Sequence, residues 1–145
     1  MTVSIKPLEP HHEADWRRLW SAYLDFYKVD LPASETDALF ESLATGAPHF
    51  ALVAETEGAY VGFVHALPHA STWSRAGYCY LEDLYVDPSA RGARVGRTLI
   101  EAVYAEADAR GLTRVYWHTD RENARARRLY DSLASVSEFI QYRRQ

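Results

Sequence analysis

The stretch VDPSARGARVGRTLI, Val86 to Ile100, leaves an apolar run, crosses a loop carrying Gly92 and Gly96, and enters a helical pattern at Val95. This join constrains the fold more than any other feature. The first N–H groups of a helix have no partner within it and carry a partial positive charge toward whatever precedes it. Glycines let a ligand approach the backbone where a side chain would stand in the way. Arg91, Arg94 and Arg97 add three positive charges at the same place. Such a join suits an anion, a phosphate above all. The common nucleotide signatures fail: there is no GxxxxGK[ST] and no GxGxxG, and the loop follows the fourth strand-like run, not the first. ATP and NAD are therefore poor candidates.

The order of elements places this loop in an α/β domain. TVSIKPL reads as a first strand, and Trp16, Leu19, Trp20, Tyr23, Leu24 and Tyr27 mark an amphipathic helix whose aromatics are most simply core. Ser34 and Asp37 predict a capping box that opens a second helix through about Ala44, stopped by Gly46. HFALVAE, YVGFVHAL and GYCYLEDLYV are strand-like, the first two joined by a short hairpin turn. Val95, Leu99, Ile100, Val103, Tyr104 and Ala107 mark a helix that ends at Gly111, LTRVYWHT is a further strand, Asn123 opens another helix, and EFIQYRR is expected as the closing strand. The result is a mixed central sheet flanked by about four helices. At 145 residues, residues 1–145 form one domain.

Charge and cysteine usage narrow the chemistry. Residues 1–87 carry five basic and thirteen acidic side chains, while residues 88–145 carry eleven basic and seven acidic. A basic half suits an anionic ligand and an acidic half a cationic one. The single cysteine, Cys79, excludes an intrachain disulfide framework and a CxxC metal pattern, and it is expected in the core rather than as an acyl-carrying nucleophile. The six histidines show no HExxH or other metal spacing, so no metal is expected. No leader-like segment and no apolar run near the ~20 residues of a membrane helix is visible, so a cytoplasmic protein without membrane contact is expected. The acidic remainder, with no RNP-like or zinc-finger pattern, argues against a nucleic-acid partner.

Three segments together carry a family resemblance. RGARVG resembles the R/Q-x-x-G-x-G/A loop of the GNAT superfamily of N-acetyltransferases, with Arg91 and Gly96 in the first and last positions and Arg94 where a glycine is usual. NARARRLYDSLA, from Asn123, resembles the family's N-x-x-A-x-x-x-Y segment, and YLEDLYVDPSARG resembles the equivalent strand of its polyamine acetyltransferases. FIQYRR resembles the ending of a small polyamine/histone acetyltransferase-like subgroup whose members pair through their last strands.

The resemblance implies a GNAT-like fold and acetyl-CoA as co-substrate, with no metal. It places the pantetheine arm along Leu84, Tyr85 and Val86, and the pyrophosphate on Arg91, Gly92, Ala93, Arg94, Val95, Gly96 and Arg97, with a backbone N–H near Leu84 for the thioester carbonyl. Asn123 would cap its helix, meet the arm, or both. Arg125, Arg127 and Arg128 point in different directions on a helix, so not all can reach the nucleotide. Tyr130 matches the tyrosine beside the thioester sulfur; with a phenol pKa of about 10 it carries a proton to give. The acceptor amine needs a base. Glu82 and Asp83, adjacent on a strand, face opposite sides, and the resemblance favours Glu82, directly or through water. The expected activity is acetyl transfer to a primary amine (polyamine, diamine, lysine-like or protein amino group) by direct attack in a ternary complex. The alternative is a catalytically weak acyl-CoA-binding sensor or interaction module. A lone terminal strand leaves an unpaired edge, so a homodimer through EFIQYRR is also expected.

Overall fold

The computed structural model of the chain describes residues 2–92 and 94–145. Five strands form one sheet in chain order: β1 (Ser4–Pro7), β2 (Phe50–Thr56), β3 (Ala59–Ser71), β4 (Ser74–Val86) and β5 (Val115–Tyr116). β1 to β4 are antiparallel, and β5 joins β4 in parallel. Two helices, α1 (Glu13–Phe26) and α2 (Ala33–Thr45), lie between β1 and β2 in sequence; α3 (Val95–Ala109) and α4 (Ala124–Asp131) flank β5. The sheet thus separates two cores. Trp16, Leu19, Phe40 and Leu43 cover Val53 and Phe63 on one face, while Leu99, Ile100 and Val103 of α3 pack on Val64, Ala66 and Leu81 on the other. The α3 core follows the predicted stripe closely, and Gly111 ends that helical stretch in the left-handed region.

Gly62 fixes how closely α3 approaches the sheet. A Cβ there would lie 2.7 Å from the Tyr85 carbonyl oxygen and 3.3 Å from Val95, so no side chain fits without displacing the strand or the start of the helix.

Three local expectations change. α2 begins after Pro32, and its N-cap makes no side-chain hydrogen bond, so the Ser34–Asp37 capping box does not form. The fifth strand shrinks to two residues because β5 pairs with β4 only at Cys79↔Val115 and Tyr80↔Tyr116. Finally, EFIQYRR is not a strand: residues 134–145 contain no helix or strand. Val136, Phe139, Ile140 and Tyr142 stand 70–90% exposed, and the segment pairs with neither edge strand of the sheet.

Candidate active site

The functional geometry starts from an irregularity in β4. Asp83 pairs with His65 and Leu81 with Ala66, which leaves Glu82 as the extra residue of a β-bulge. Backbone hydrogen bonds show the consequence. The Cys79 N–H turns outward and donates to Arg114 O beside β5, whereas the Asp87 N–H turns inward and donates to Val61 O of β3. Strict alternation would send both odd-numbered residues the same way. The bulge switches the phase, so beyond it Leu84 and Val86 present their backbone groups away from β3. Because β5 has ended, that side faces an open wedge with no strand to satisfy it.

The wedge leads to the start of α3. Among the described residues, the first N–H donation within this helix runs from Thr98 to Arg94 O, with the N–H groups of Val95, Gly96 and Arg97 ahead of it. No side chain caps this end and no acidic residue lies in its first turn. Arg94 adopts φ +64°, the left-handed conformation that glycine takes without cost, so the backbone of the loop keeps a glycine-like path despite the substitution. Gly92 also has positive φ, and nothing lies within 4 Å of the place its Cβ would occupy. A Cβ at Gly96 would press on Leu129 of α4 at 3.3 Å, so this glycine lets α3 and α4 close one side of the site.

A cleft of about 600 Å³ joins these parts. The expected ligand-contact residues Leu84, Tyr85 and Val86, Arg91 and Gly92, Arg94 to Arg97, Asn123 and Tyr130 all line it, together with Glu82. Ala93 lies outside the described residues. Asn123 caps α4, accepting from the Ala126 N–H at 3.1 Å, while also lining the cleft. Of the three α4 arginines only Arg125 reaches the cleft; Arg127 is turned to the Arg121 carbonyl, and Arg128 is exposed.

Their surroundings raise the pKa of both Glu82 and Tyr130. Glu82 is exposed to the cleft, yet the surrounding protein disfavours its charge and the neighbouring Asp83 carboxylate adds to this, raising its pKa. Burial likewise raises the Tyr130 pKa, so its phenol holds its proton. The hydroxyl has no hydrogen-bond partner among the described residues, and the ring packs edge-on against Trp117 at 5.4 Å. Cys79, by contrast, is fully buried, with its thiol pushed up to about 11 by burial. That matches its expected place in the core. Among the described residues no cluster of histidine, cysteine and carboxylate could hold a metal, and no helix is long and apolar enough to cross a membrane.

The sequence reading missed the cleft's other wall. Tyr23, Phe26 and Tyr27 from the end of α1, and Trp117, His118 and Thr119 after β5, also line it. It also missed a hydrogen-bonded chain behind Asp83. Trp16 Nε1–H donates to His65 Nε2 at 3.0 Å, His65 Nδ1 meets Asp83 Oδ2 at 2.9 Å, and the Tyr23 hydroxyl donates to Asp83 Oδ1 at 2.8 Å. These partners lie 18 to 60 residues apart in sequence, and no local spacing announces them.

Comparison with known proteins agrees with this geometry. Residues 16–134 match the acetyltransferase (GNAT) family. The chain is 37% identical over 145 residues to a D-amino-acid N-acetyltransferase of Saccharomyces cerevisiae, covering 98% of this chain and 90% of the yeast protein. It is 28% identical over 129 residues to an uncharacterised N-acetyltransferase of Bacillus subtilis, covering 89% and 87% of the two chains. Among solved structures, the aminoglycoside acetyltransferase AAC(6')-Iy, in complex with a CoA-linked bisubstrate analogue, superimposes with a TM-score of 0.87 at 20% identity, covering 100% and 99% of the chains. At that identity the likeness speaks to the fold. With the family matched over most of its length, the chain belongs to the acetyltransferase (GNAT) family, as an N-acetyltransferase whose co-substrate is acetyl-CoA.

Proposed function

We propose that the protein transfers acetyl from acetyl-CoA to a primary amine by direct attack in a ternary complex, with Glu82 as base and Tyr130 as acid. The observation that carries this reading is the single cleft that holds Glu82, the unpaired outer edge of β4, Tyr130 and the free start of α3 together. The N–H groups of Val95, Gly96 and Arg97, with Arg91 and Arg94, suit a pyrophosphate. The outward backbone of Leu84 and Val86 suits the amide-bearing pantetheine arm, and an N–H there can donate to the thioester carbonyl oxygen as negative charge develops on it. Bound acetyl-CoA supplies an activated acyl group with a thiolate as leaving group. Glu82 removes the proton of the acceptor's ammonium, which at a lysine-like pKa of about 10.4 is otherwise almost fully charged at pH 7. Tyr130 gives its proton to the departing sulfur.

The acceptor is proposed to be a small amine. The yeast relative is named for D-amino acids, and Tyr23, Phe26 and Tyr27 offer an aromatic wall beside Glu82. A homodimer through the exposed C-terminal segment and a cytoplasmic location complete the reading. Release of CoA thiol tests it, with acetyl-CoA offered polyamines, diamines, lysine analogues, D-amino acids and basic peptides. At least one amine is expected to turn over. On that amine, Tyr130→Phe is expected to lower kcat about tenfold or more with acetyl-CoA affinity unchanged, since only the proton donor is removed. No turnover with any amine, despite acetyl-CoA binding, would favour a sensor instead.

A further inference from the structure

We propose that Asp83 is a positioning residue for acetyl transfer: pinned between His65 and Tyr23, it fixes the bulge that turns Glu82 into the cleft and keeps a negative charge beside it. This rests on the reading of Glu82 as the base.

The hydrogen-bond polarity of the chain behind Asp83 is determined throughout. An indole N–H can only donate, so His65 Nε2, which receives it from Trp16, is an acceptor. The neutral ring then carries its hydrogen on Nδ1, which donates to Asp83 Oδ2. Tyr23, whose pKa is raised by burial and by Asp83 itself, keeps its proton and donates it to the other oxygen. Both oxygens of Asp83 therefore receive a donor, the arrangement that suits an ionised carboxylate. His65 is 1% exposed, and its other neighbours on this face, Phe63, Trp16 and Trp20, are aromatic. Burying an imidazole against a carboxylate in such a core is costly unless every partner is present, and an apolar pair would fill the space more simply.

The placement shows what the network does. His65↔Asp83 is the cross-strand pair that abuts the bulge, so the side-chain bond locks the register at the point where the strand changes phase. Releasing it would let Glu82 return to the ladder and would turn Leu84 and Val86 back toward β3. The charge acts as well. Asp83 is the foremost charged neighbour that holds the proton on Glu82; His49 ahead of β2 opposes it, whereas His65 of β3 would do so only if it were protonated, which its acceptance from Trp16 prevents. Tyr23 of α1, His118 after β5 and Tyr130 of α4 line the same cleft.

The test uses the full-length chain, saturating acetyl-CoA, and spermidine or D-phenylalanine, whichever turns over faster, with kcat followed against pH. In Asp83→Asn the amide oxygen can still accept from His65 while its NH2 group donates to the Tyr23 oxygen, so the shape survives and the charge goes. The acid limb of the profile is expected to move to lower pH, because Glu82 loses its proton more readily without the neighbouring charge. The plateau is expected to fall about tenfold as the base weakens. The acceptor's own titration is common to both proteins and cancels. A folded Asp83→Asn variant with the parent's limb and plateau would overturn the proposal. So would loss of all turnover in that variant while Glu82→Gln keeps its rate, which would make Asp83 the base. If Asp83→Asn does not fold, Tyr23→Phe decides: its ring still packs on Trp20 and Phe63, and a severalfold lower plateau is expected, whereas a parent-like plateau overturns the proposal. Full activity in both Glu82→Gln and Asp83→Asn would instead sink the general-base reading on which this rests.

Discussion

At the scale of single residues, the site depends on a few side chains whose surroundings differ from what neighbours in sequence would suggest. Glu82 and Asp83 are adjacent carboxylates with opposite fates: one stands free in the cleft, and the other is tied to two donors behind it. Arg94 is a second case. Its left-handed backbone costs a residue with a Cβ roughly 1–2 kcal/mol, which glycine avoids. Arg94→Gly and Arg94→Ala remove the same charge, so both are expected to weaken acetyl-CoA binding and reduce its dependence on salt. They should differ in stability. The glycine variant is expected to be more stable than the alanine variant by about 1 kcal/mol, read from denaturant unfolding. Equal stabilities would mean that the left-handed turn is not required there.

At the scale of elements, what was legible in the sequence follows from what local pattern encodes. The α1 and α3 stripes were readable because their apolar spacing matches one helical face, and Asn123 because a cap acts over three residues. The turn between β2 and β3 was also readable; Glu57 and Gly58 both take positive φ there, as a two-residue hairpin requires. The bulge at Glu82 was not, because a period-two reading presumes unbroken pairing and the break is set by β3. The brevity of β5 is likewise a property of its divergence from β4. The family-derived ligand positions on β4, the loop and α4 came together in one cleft, while the α1 wall and the chain from Trp16 to Asp83 needed tertiary contacts to be seen. The terminal strand was expected from the resemblance and from apolar residues on both of its faces, but the segment pairs with neither free edge of the sheet, β1 nor β5. That is why the segment bears on assembly: Val136, Phe139, Ile140 and Tyr142 leave a run of apolar surface uncovered. Light scattering at micromolar concentration is expected to show a dimer for the full chain and a monomer after deletion of residues 136–145. A 16.5 kDa particle for the full chain would refute the stable dimer.

At the scale of the whole molecule, the sheet serves as a divider. On one face α1 brings the aromatic wall and packs Trp16 on the His65 that holds Asp83; the other face, with α3 and α4, brings the arginine-bearing turn and Tyr130. On the proposed reading, the two ligands would enter from different sides and meet at the wedge where β4 and β5 part, leaving room for both to be bound at once. The one thiol in the chain is buried with its pKa pushed up to about 11, so it is unsuited to carrying an acyl group between two separate half-reactions. Initial rates measured over a grid of acetyl-CoA and acceptor concentrations test this most directly. Direct attack within a ternary complex predicts double-reciprocal lines that intersect. Parallel lines, with acetyl-labelled protein trapped when the amine is left out, would contradict it.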